Sequence, residues 1–313
     1  MSYERHNIKS VSKDLQKFVI NTPVLRFDII DSLCNCNVFF KCENFQHTGS
    51  FKYRAAVNAI KKMPVEFKQT GVITHSSGNF AHALARAAYE LKIPCHIVMP
   101  NNTPNFKKSS VLSYTKNVIE CESNLKAREF TTSEILKNKN LYFIHPSNNM
   151  DVILGNSSCA LEFVNDYPNL DFIFSPIGGG GLIAGTSIAI NNFSENCQVI
   201  GAEPSNVDDA YRSLISGKIE FNESTNTIAD GLRTKLGSIN FPIIQNYVKE
   251  ILLVSEDEIM DSLDIIINKL KIVVEPSSAV VLAALIKNNK KFKNKNIGLI
   301  MCGGNIDFNS LKF

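Results

Sequence analysis

The stretch DFIFSPIGGGGLIAGTSIAI, Asp171–Ile190, decides the reading of this chain. An apolar run, Phe172 to Ile177, has the length and composition of a buried strand. It ends in four consecutive glycines, Gly178, Gly179, Gly180 and Gly181, and the apolar segment LIAGTSIAI continues as a helix. A strand that turns into a helix through glycines exposes backbone N–H groups at the helix N-terminus, which is a site for a phosphate. A tight turn with close helix packing explains one or two glycines and explains four poorly. The spacing also fits G-x-G-x-x-A over Gly179–Ala184, and the acidic Glu203 follows about twenty residues on, as a dinucleotide site requires. A nicotinamide-binding oxidoreductase therefore stays open at this point. No Gly-Lys-Ser/Thr follows the glycines, so a Walker loop is excluded.

Working outward, the same unit recurs. Gly71 to Thr74, Cys95 to Met99, Val118 to Glu120, Leu141 to Ile144, Val199 to Ala202 and Ile297 to Met301 are short apolar runs, and helix-period segments lie between them. Strands alternating with helices predict an α/β fold with mainly parallel sheets. In such folds ligands bind beyond the carboxyl ends of the strands, so the turns after these runs should carry chemistry. Ser76, Ser77, Gly78 and Asn79 follow one run at a helix start. They suit a carboxylate, or they form an ordinary helix cap. Lys52 follows a Thr-Gly-Ser turn at the start of KYRAAVNAIKK. Cys302 opens CGGN after IGLIM. The turn EPSNVDD, Glu203–Asp209, holds three carboxylates that fit either a divalent cation or a solvated acidic loop.

Length and composition exclude several classes. The chain has 313 residues, 44% hydrophobic and 20% charged, with a formal charge of +3. That is long enough for one large or two moderate domains and too apolar for disorder. The near-balanced charge argues against a nucleic-acid or membrane-surface binder. The basic run Lys287 to Asn296 is expected as a solvated loop. No segment reaches the roughly 18 apolar residues of a membrane span, and Met1 to Asp14 lacks the apolar stretch of a secretion signal. The eight cysteines form no CxxC pair and have no paired histidine spacing. Reduced thiols in a cytoplasmic protein are expected.

Taken together, the motifs resemble a known family. These are NTPVL (Asn21–Leu25), KCENFQHTGSFKYRAA (Lys41–Ala56), THSSGN (Thr74–Asn79), SPIGGGGLIAG (Ser175–Gly185), GAEPSNVDDAY (Gly201–Tyr211), TIADG (Thr227–Gly231), VVEPSSA (Val273–Ala279) and CGGNIDF (Cys302–Phe308). In this order they are similar to the fold-type II pyridoxal 5'-phosphate enzymes, specifically serine racemase and the short serine/threonine dehydratases. The resemblance implies a two-domain α/β fold like the tryptophan synthase β subunit, with mainly parallel twisted sheets flanked by helices. Residues 1–69 and 149–313 would form the large cofactor-binding domain. Residues 70–148 would form a small mobile domain that closes over substrate.

The resemblance also implies roles. Lys52 would bond covalently to the cofactor and act as a base. Gly178 to Gly181 would hold the cofactor phosphate, Asn79 its phenolic oxygen, and Cys302 would face its pyridine nitrogen. Ser76, Ser77, Gly78, Phe80 and Arg128 would bind substrate, with Ser77 also standing where racemases carry a second acid. Glu203, Val207 through its carbonyl, and Asp209 would hold Mg²⁺ or Ca²⁺, which reassigns Glu203 from a ribose ligand. The implied activity is an ammonia-lyase on serine- or threonine-type β-hydroxy amino acids, with possible racemisation of serine. Amino-acid racemisation as the main activity and 3-hydroxyaspartate dehydration are the alternatives. A homodimer with a small amino-acid substrate is implied, with neither nucleic acid nor membrane as partner. Two departures bear on substrate: Phe80 replaces the family's usual histidine, and Gly155, Asn156, Ser157 and Ser158 replace its usual GQGT. Both are expected near the substrate pocket, and they also motivate a silent, amino-acid-binding reading.

Overall fold

A computed structural model describes residues 4–307. In chain order its elements are α1 (Arg5–Leu15), β1 (Val24–Arg26), α2 (Asp28–Cys34), β2 (Asn37–Cys42), α3 (Lys52–Lys62), β3 (Val72–His75), α4 (Asn79–Glu90), β4 (Cys95–Pro100), α5 (Asn105–Leu112), β5 (Val118–Cys121), α6 (Leu125–Asn138), β6 (Tyr142–Phe143), α7 (Met150–Asp166), β7 (Phe172–Pro176), α8 (Gly181–Phe193), β8 (Gln198–Pro204), α9 (Asp209–Ser216), α10 (Phe241–Tyr247), β9 (Val248–Val254), α11 (Glu256–Asp264), α12 (Pro276–Lys287) and β10 (Asn296–Met301).

The strands form two sheets. The larger runs β1-β2-β10-β7-β8-β9, and the smaller runs β5-β4-β3-β6. Every pairing is parallel except β1 with β2 at one edge, where Leu25 faces Phe40. Both faces of the larger sheet are covered, as a parallel sheet requires. One face packs Val280, Leu282 and Leu285 of α12 and Ile259 and Leu263 of α11 against Phe40, Phe174 and Leu299. The other packs Cys159 and Phe163 of α7 and Ile183 and Ile188 of α8 against Ile173 and Val199. A third core joins α3 and α4 to the smaller sheet through Ala55, Ala59, Leu84, Ala88 and Ile97. Its alanines allow the two helices to approach closely.

Two sequence expectations change here. Gly155–Ser158 lie inside α7, are buried, and do not line the cavity described below. A Cβ on Gly155 would come within 2.7 Å of the Arg54 carbonyl and 2.8 Å of Ala55 Cα, so the glycine lets α7 seat against α3. Gly155→Ala is expected to cost about 1–3 kcal/mol in denaturant melts despite alanine's better helix propensity, because the obstructing atoms are backbone. The run after α12 is also more than a solvated loop. Phe292 is wholly buried, and Lys287, Lys291 and Lys295 pair with Glu258, Glu250 and Asp171.

Candidate active site

The carboxyl ends of β3, β7 and β10 converge on one cavity of about 580 Å³. Ser76, Ser77, Gly78, Asn79 and Phe80 enter it after β3, the four glycines after β7, and Cys302 after β10. Lys52 also lines it, although no strand ends immediately before it. Its turn is held by the loop after β10: Phe51 N–H donates to the Cys302 carbonyl at 3.0 Å, Gly304 N–H donates to the Gly49 carbonyl at 2.9 Å, and Ser50 bridges Gly303.

The Lys52 ammonium donates to the Pro146 carbonyl at 3.0 Å and lies 4.9 Å from the Phe51 ring centroid and 5.8 Å from that of Phe80. Phe80 is buried and thus supplies an apolar wall beside the amine. Burial pulls Lys52 down to about 8, opposed by the Cys302 and Glu275 side chains. In the protein free of cofactor, pulse acetylation of Lys52 should reach half its maximal rate near pH 8, with the surface lysines following near 10.4. Peptide mapping across pH checks this; co-titration of Lys52 with the surface lysines would refute the depressed value.

The glycine loop is shaped by contact. Gly180 has φ +79°, which disfavours any side chain, and a Cβ there would lie 2.9 Å from Asn240. Asn240 anchors the loop by donating to the Gly179 carbonyl at 2.6 Å. A Cβ on Gly179 would strike the Ser147 hydroxyl. The N–H groups of Gly178, Gly179 and Gly180 donate to no other described residue. They sit at the N-terminus of α8, a cradle that fits a phosphate. Glu203 does not line this cavity. Its carboxylate accepts from Ala210 N–H at 3.1 Å and Tyr211 N–H at 2.9 Å. The ribose-binding acid of the dinucleotide reading is therefore missing from the site.

Asn79 is fixed from two sides. Its Nδ2 donates to both Glu275 oxygens, at 3.1 and 2.9 Å, and its Oδ1 accepts from Asn305 at 2.9 Å. Glu275 is a site residue that the sequence reading left without a role, although EPSSA was in view. Burial, then the charge of Asp230, push it up to about 7. Cys302 lies beside it and 3.3 Å from the Ser278 hydroxyl. That hydroxyl donates to the Gly303 carbonyl at 2.7 Å and accepts from Gly303 N–H at 2.9 Å. Its proton is committed to that carbonyl, and the thiol lies within donor reach of both this hydroxyl and the Glu275 carboxylate. Burial and the Glu275 charge raise the Cys302 pKa, so the thiol stays neutral.

Ser76 is buried, and its hydroxyl accepts from Gly78 N–H at 3.3 Å. The Ser77 hydroxyl has no described partner and faces the cavity. Arg128 reaches the same cavity from α6, and its Nε is buried without an acceptor. Reading the sequence also missed His145, Ser147 and Asn240. The pair His145-Pro146 after β6 was the available signal, since a strand end in this fold faces the ligand.

The proposed cation ligands lie apart from this cavity. Glu203, Val207 and Asp209 are buried, so the solvated-loop reading of their turn is wrong. Burial pushes Asp209 up to about 6, and burial with the Asp209 charge raises Glu203. Among the described residues, no group of three or more His, Cys, Asp or Glu side chains gathers as a metal site. No described helix is long and apolar enough to cross a membrane.

Comparison with known proteins supplies the class. The sequence profile of the family described as "Pyridoxal-phosphate dependent enzyme" matches residues 15–303. The serine racemase of Dictyostelium discoideum is 41% identical over 309 residues, 97% of this chain and 95% of that protein. The beta-hydroxyaspartate dehydratase of Paracoccus denitrificans is 40% identical, covering 95% of this chain and 94% of that protein. The solved structure of maize serine racemase superposes with a TM-score of 0.95 at 36% identity, covering 98% of this chain and 95% of that one. The free glycine-loop amides and the half-buried lysine opposite them agree with that cofactor, and the chain belongs to the pyridoxal-phosphate dependent enzymes of fold-type II.

Proposed function

We propose that this enzyme eliminates water from β-hydroxy amino acids, that the resulting enamine takes up water and releases ammonia to give a 2-oxo acid, and that the enzyme also inverts the α-carbon of its substrates. One observation carries the reading. A lysine amine of depressed basicity, a hydroxyl without a described partner and a row of glycine amides that donate to no described residue line a single cavity. Pyridoxal phosphate, when bound, supplies an electron sink that acidifies the substrate Cα–H. The amides of Gly178 to Gly181 would hold its phosphate, Asn79 its phenolic oxygen and Lys52 its aldehyde carbon. Cys302 would offer the ring nitrogen a neutral thiol, which does not keep that nitrogen protonated and so favours prompt loss of the β-hydroxyl.

The chain's own groups divide the work. Ser76, Ser77 and the N-terminus of α4 hold the substrate α-carboxylate, which fixes the bond that is broken. The Lys52 amine takes the Cα proton. Ser77 returns a proton from the other side when the centre inverts. The unit formed by residues 70–148 closes on the substrate and excludes water. This is supported by a cavity lined both by residues after β3 and by the glycines after β7. The family resemblance adds a homodimer.

The decisive experiment loads the protein with pyridoxal phosphate and follows L-serine, D-serine and L-threonine. Keto acid and change of chirality are read together. Keto acid from L-serine supports the lyase; retained cofactor with no turnover supports the silent binding protein instead.

A divalent cation at Glu203, Asp209 and the Val207 carbonyl is part of the proposal. Two buried carboxylates in mutual repulsion gain from a cation's charge, and all three ligands offer oxygen. Mg²⁺ or Ca²⁺ at about a hundred times its Kd should stabilise the fold by about 2.7 kcal/mol. Thermal melts with and without chelator check it, and Asp209→Asn should abolish the increment.

A further inference from the structure

Two buried thiols stand outside the chemistry of the cavity. All eight cysteines are free, and Cys34 and Cys36 are separated by Asn35 alone. They lie at the amino end of β2, whereas the cavity gathers at the carboxyl ends of the strands. α2 closes at Cys34, and Asn35 follows in the left-handed region, with φ 54° and ψ 36°. Asparagine is one of the few residues that tolerate this conformation. The Asn35 and Cys36 N–H groups both donate to the Asp31 carbonyl. From the facing side, Asn294 N–H donates to the Asn35 carbonyl at 2.9 Å, and Asn37 N–H donates to the Lys295 carbonyl at 2.9 Å. The turn is thus held from both sides. Two trans peptide steps of about 3.8 Å separate the Cα atoms of Cys34 and Cys36, and the tight bend at Asn35 shortens that path into the roughly 4.4–6.8 Å that a disulfide spans.

Both side chains enter one core cluster with Ile30, Val38 and Phe292, and the two thiols hydrogen-bond each other there. That bond lowers the Cys36 pKa and raises that of Cys34, with burial and the charges of Cys36 and Asp31 adding to the rise at Cys34. Cys36 is the better seat for the charge, because it is 6% exposed and Cys34 is 0% exposed. Burial raises each of the other cysteines. The thiolate is the reactive form of sulfur. Cys36 therefore combines the only lowered thiol of the eight with a second sulfur in contact.

We infer that Cys34 and Cys36 form a redox-modification site, which a peroxide closes to a disulfide and a small thiol reopens. With hydrogen peroxide, the Cys36 thiolate attacks one oxygen, the O–O bond breaks and hydroxide leaves, giving a sulfenic acid. The Cys34 sulfur then attacks the Cys36 sulfur, the S–O bond breaks, and the Cys34 proton leaves with the hydroxyl as water. Two thiols are oxidised and one peroxide is reduced. A small thiol reverses the closure by exchange and is itself oxidised to its disulfide. Cys34 needs no access to solvent, because its target is the adjacent sulfur.

The test uses the cofactor-loaded protein and hydrogen peroxide. The tryptic peptide Phe27–Lys41 carries both cysteines and no other. After brief exposure, alkylation of the denatured protein should leave this peptide unmodified and lighter by two hydrogens, while the other cysteines are alkylated. Dithiothreitol before alkylation should restore both sites. Cys36→Ala should slow the oxidation of Cys34 by about tenfold or more, because the remaining thiol is the raised one. Cys34→Ala should leave a sulfenic acid at Cys36 that dimedone traps. The wild-type map decides without either variant. Full alkylation of Phe27–Lys41, whether or not another cysteine is oxidised, overturns the inference, and so does a dimedone adduct on Cys36 in place of the disulfide. Turnover lost in step with oxidation while this peptide stays alkylated would place the reaction at Cys302 and overturn it equally.

Discussion

Lys52→Ala should lower kcat by about 10⁴-fold or more and abolish the absorbance band near the visible edge that the cofactor-loaded protein shows. The size follows from two losses at one atom. On the proposed function the amine would be the covalent anchor for the cofactor and also the base at the Cα–H; a positioned base alone contributes about 10²–10⁴. The change should be local. Lys52 is the first residue of α3, its ammonium makes one hydrogen bond, to the Pro146 carbonyl, and the site is desolvated. Alanine suits a helix, so the melting temperature should hold or rise. Lys52→Arg should fail as well, because a guanidinium stays protonated at any working pH. Rates, spectra and melts on the two variants decide it. Retention of both the band and the turnover in Lys52→Ala would remove Lys52 from the chemistry.

Much of this site could be read because its loops sit where a strand turns into a helix. The glycines after β7 and SSGN after β3 each carry a local signal, and parallel topology brings them together. What stayed hidden was joined only in space. Glu275 and Asn79 are 196 residues apart, and nothing beside Glu275 except Pro276 marked it. Gly155–Ser158 departed from a family pattern and so looked like pocket residues, whereas their setting is the α3–α7 contact. β1 has three residues, and β9 follows α10 with no intervening turn residue, so neither offers a pattern long enough to read. The acidic turn after β8 reads as solvated from composition, because burial of its carboxylates depends on partners from α9 and the loop before α10.

The charges around α3 were the least visible, and they should give the largest stability change. Arg54 is 0% exposed, as are Lys41 and Glu43. Arg54 grips Glu43 through two nitrogens, each at 2.8 Å, and Glu162 through two, each at 2.7 Å. Lys41 reaches Glu162 at 2.9 Å, and the Thr22 hydroxyl donates to Glu43 at 2.6 Å. Burial alone would raise the Glu43 pKa; Arg54 first, then Lys41 and Thr22, bring it below the ordinary carboxylate value. Arg54→Met leaves Glu43 buried beside a hydroxyl and one more distant cation. The expected loss is about 3–5 kcal/mol in denaturant melts, the usual cost of breaking a buried pair on one side. Lys295→Ala, which removes an exposed pair with Asp171, should cost under about 1 kcal/mol.

The pH dependence gives the argument a sign. In the wild type the Glu43 pKa is depressed, so its contribution is present above the unfolded value and fades as pH falls. In Arg54→Met burial is less opposed, the folded value rises, and stability is lost as pH climbs through it. The deficit of the variant should therefore be larger at pH 8 than at pH 5. Arg54→Met combined with Glu43→Gln should recover part of the loss, because the uncompensated charge is gone. A pH-independent deficit would mean that lost packing around α3, and not a stranded carboxylate, sets the cost. Arg54 follows Lys52 by two residues on α3, so the two side chains leave the helix on different faces.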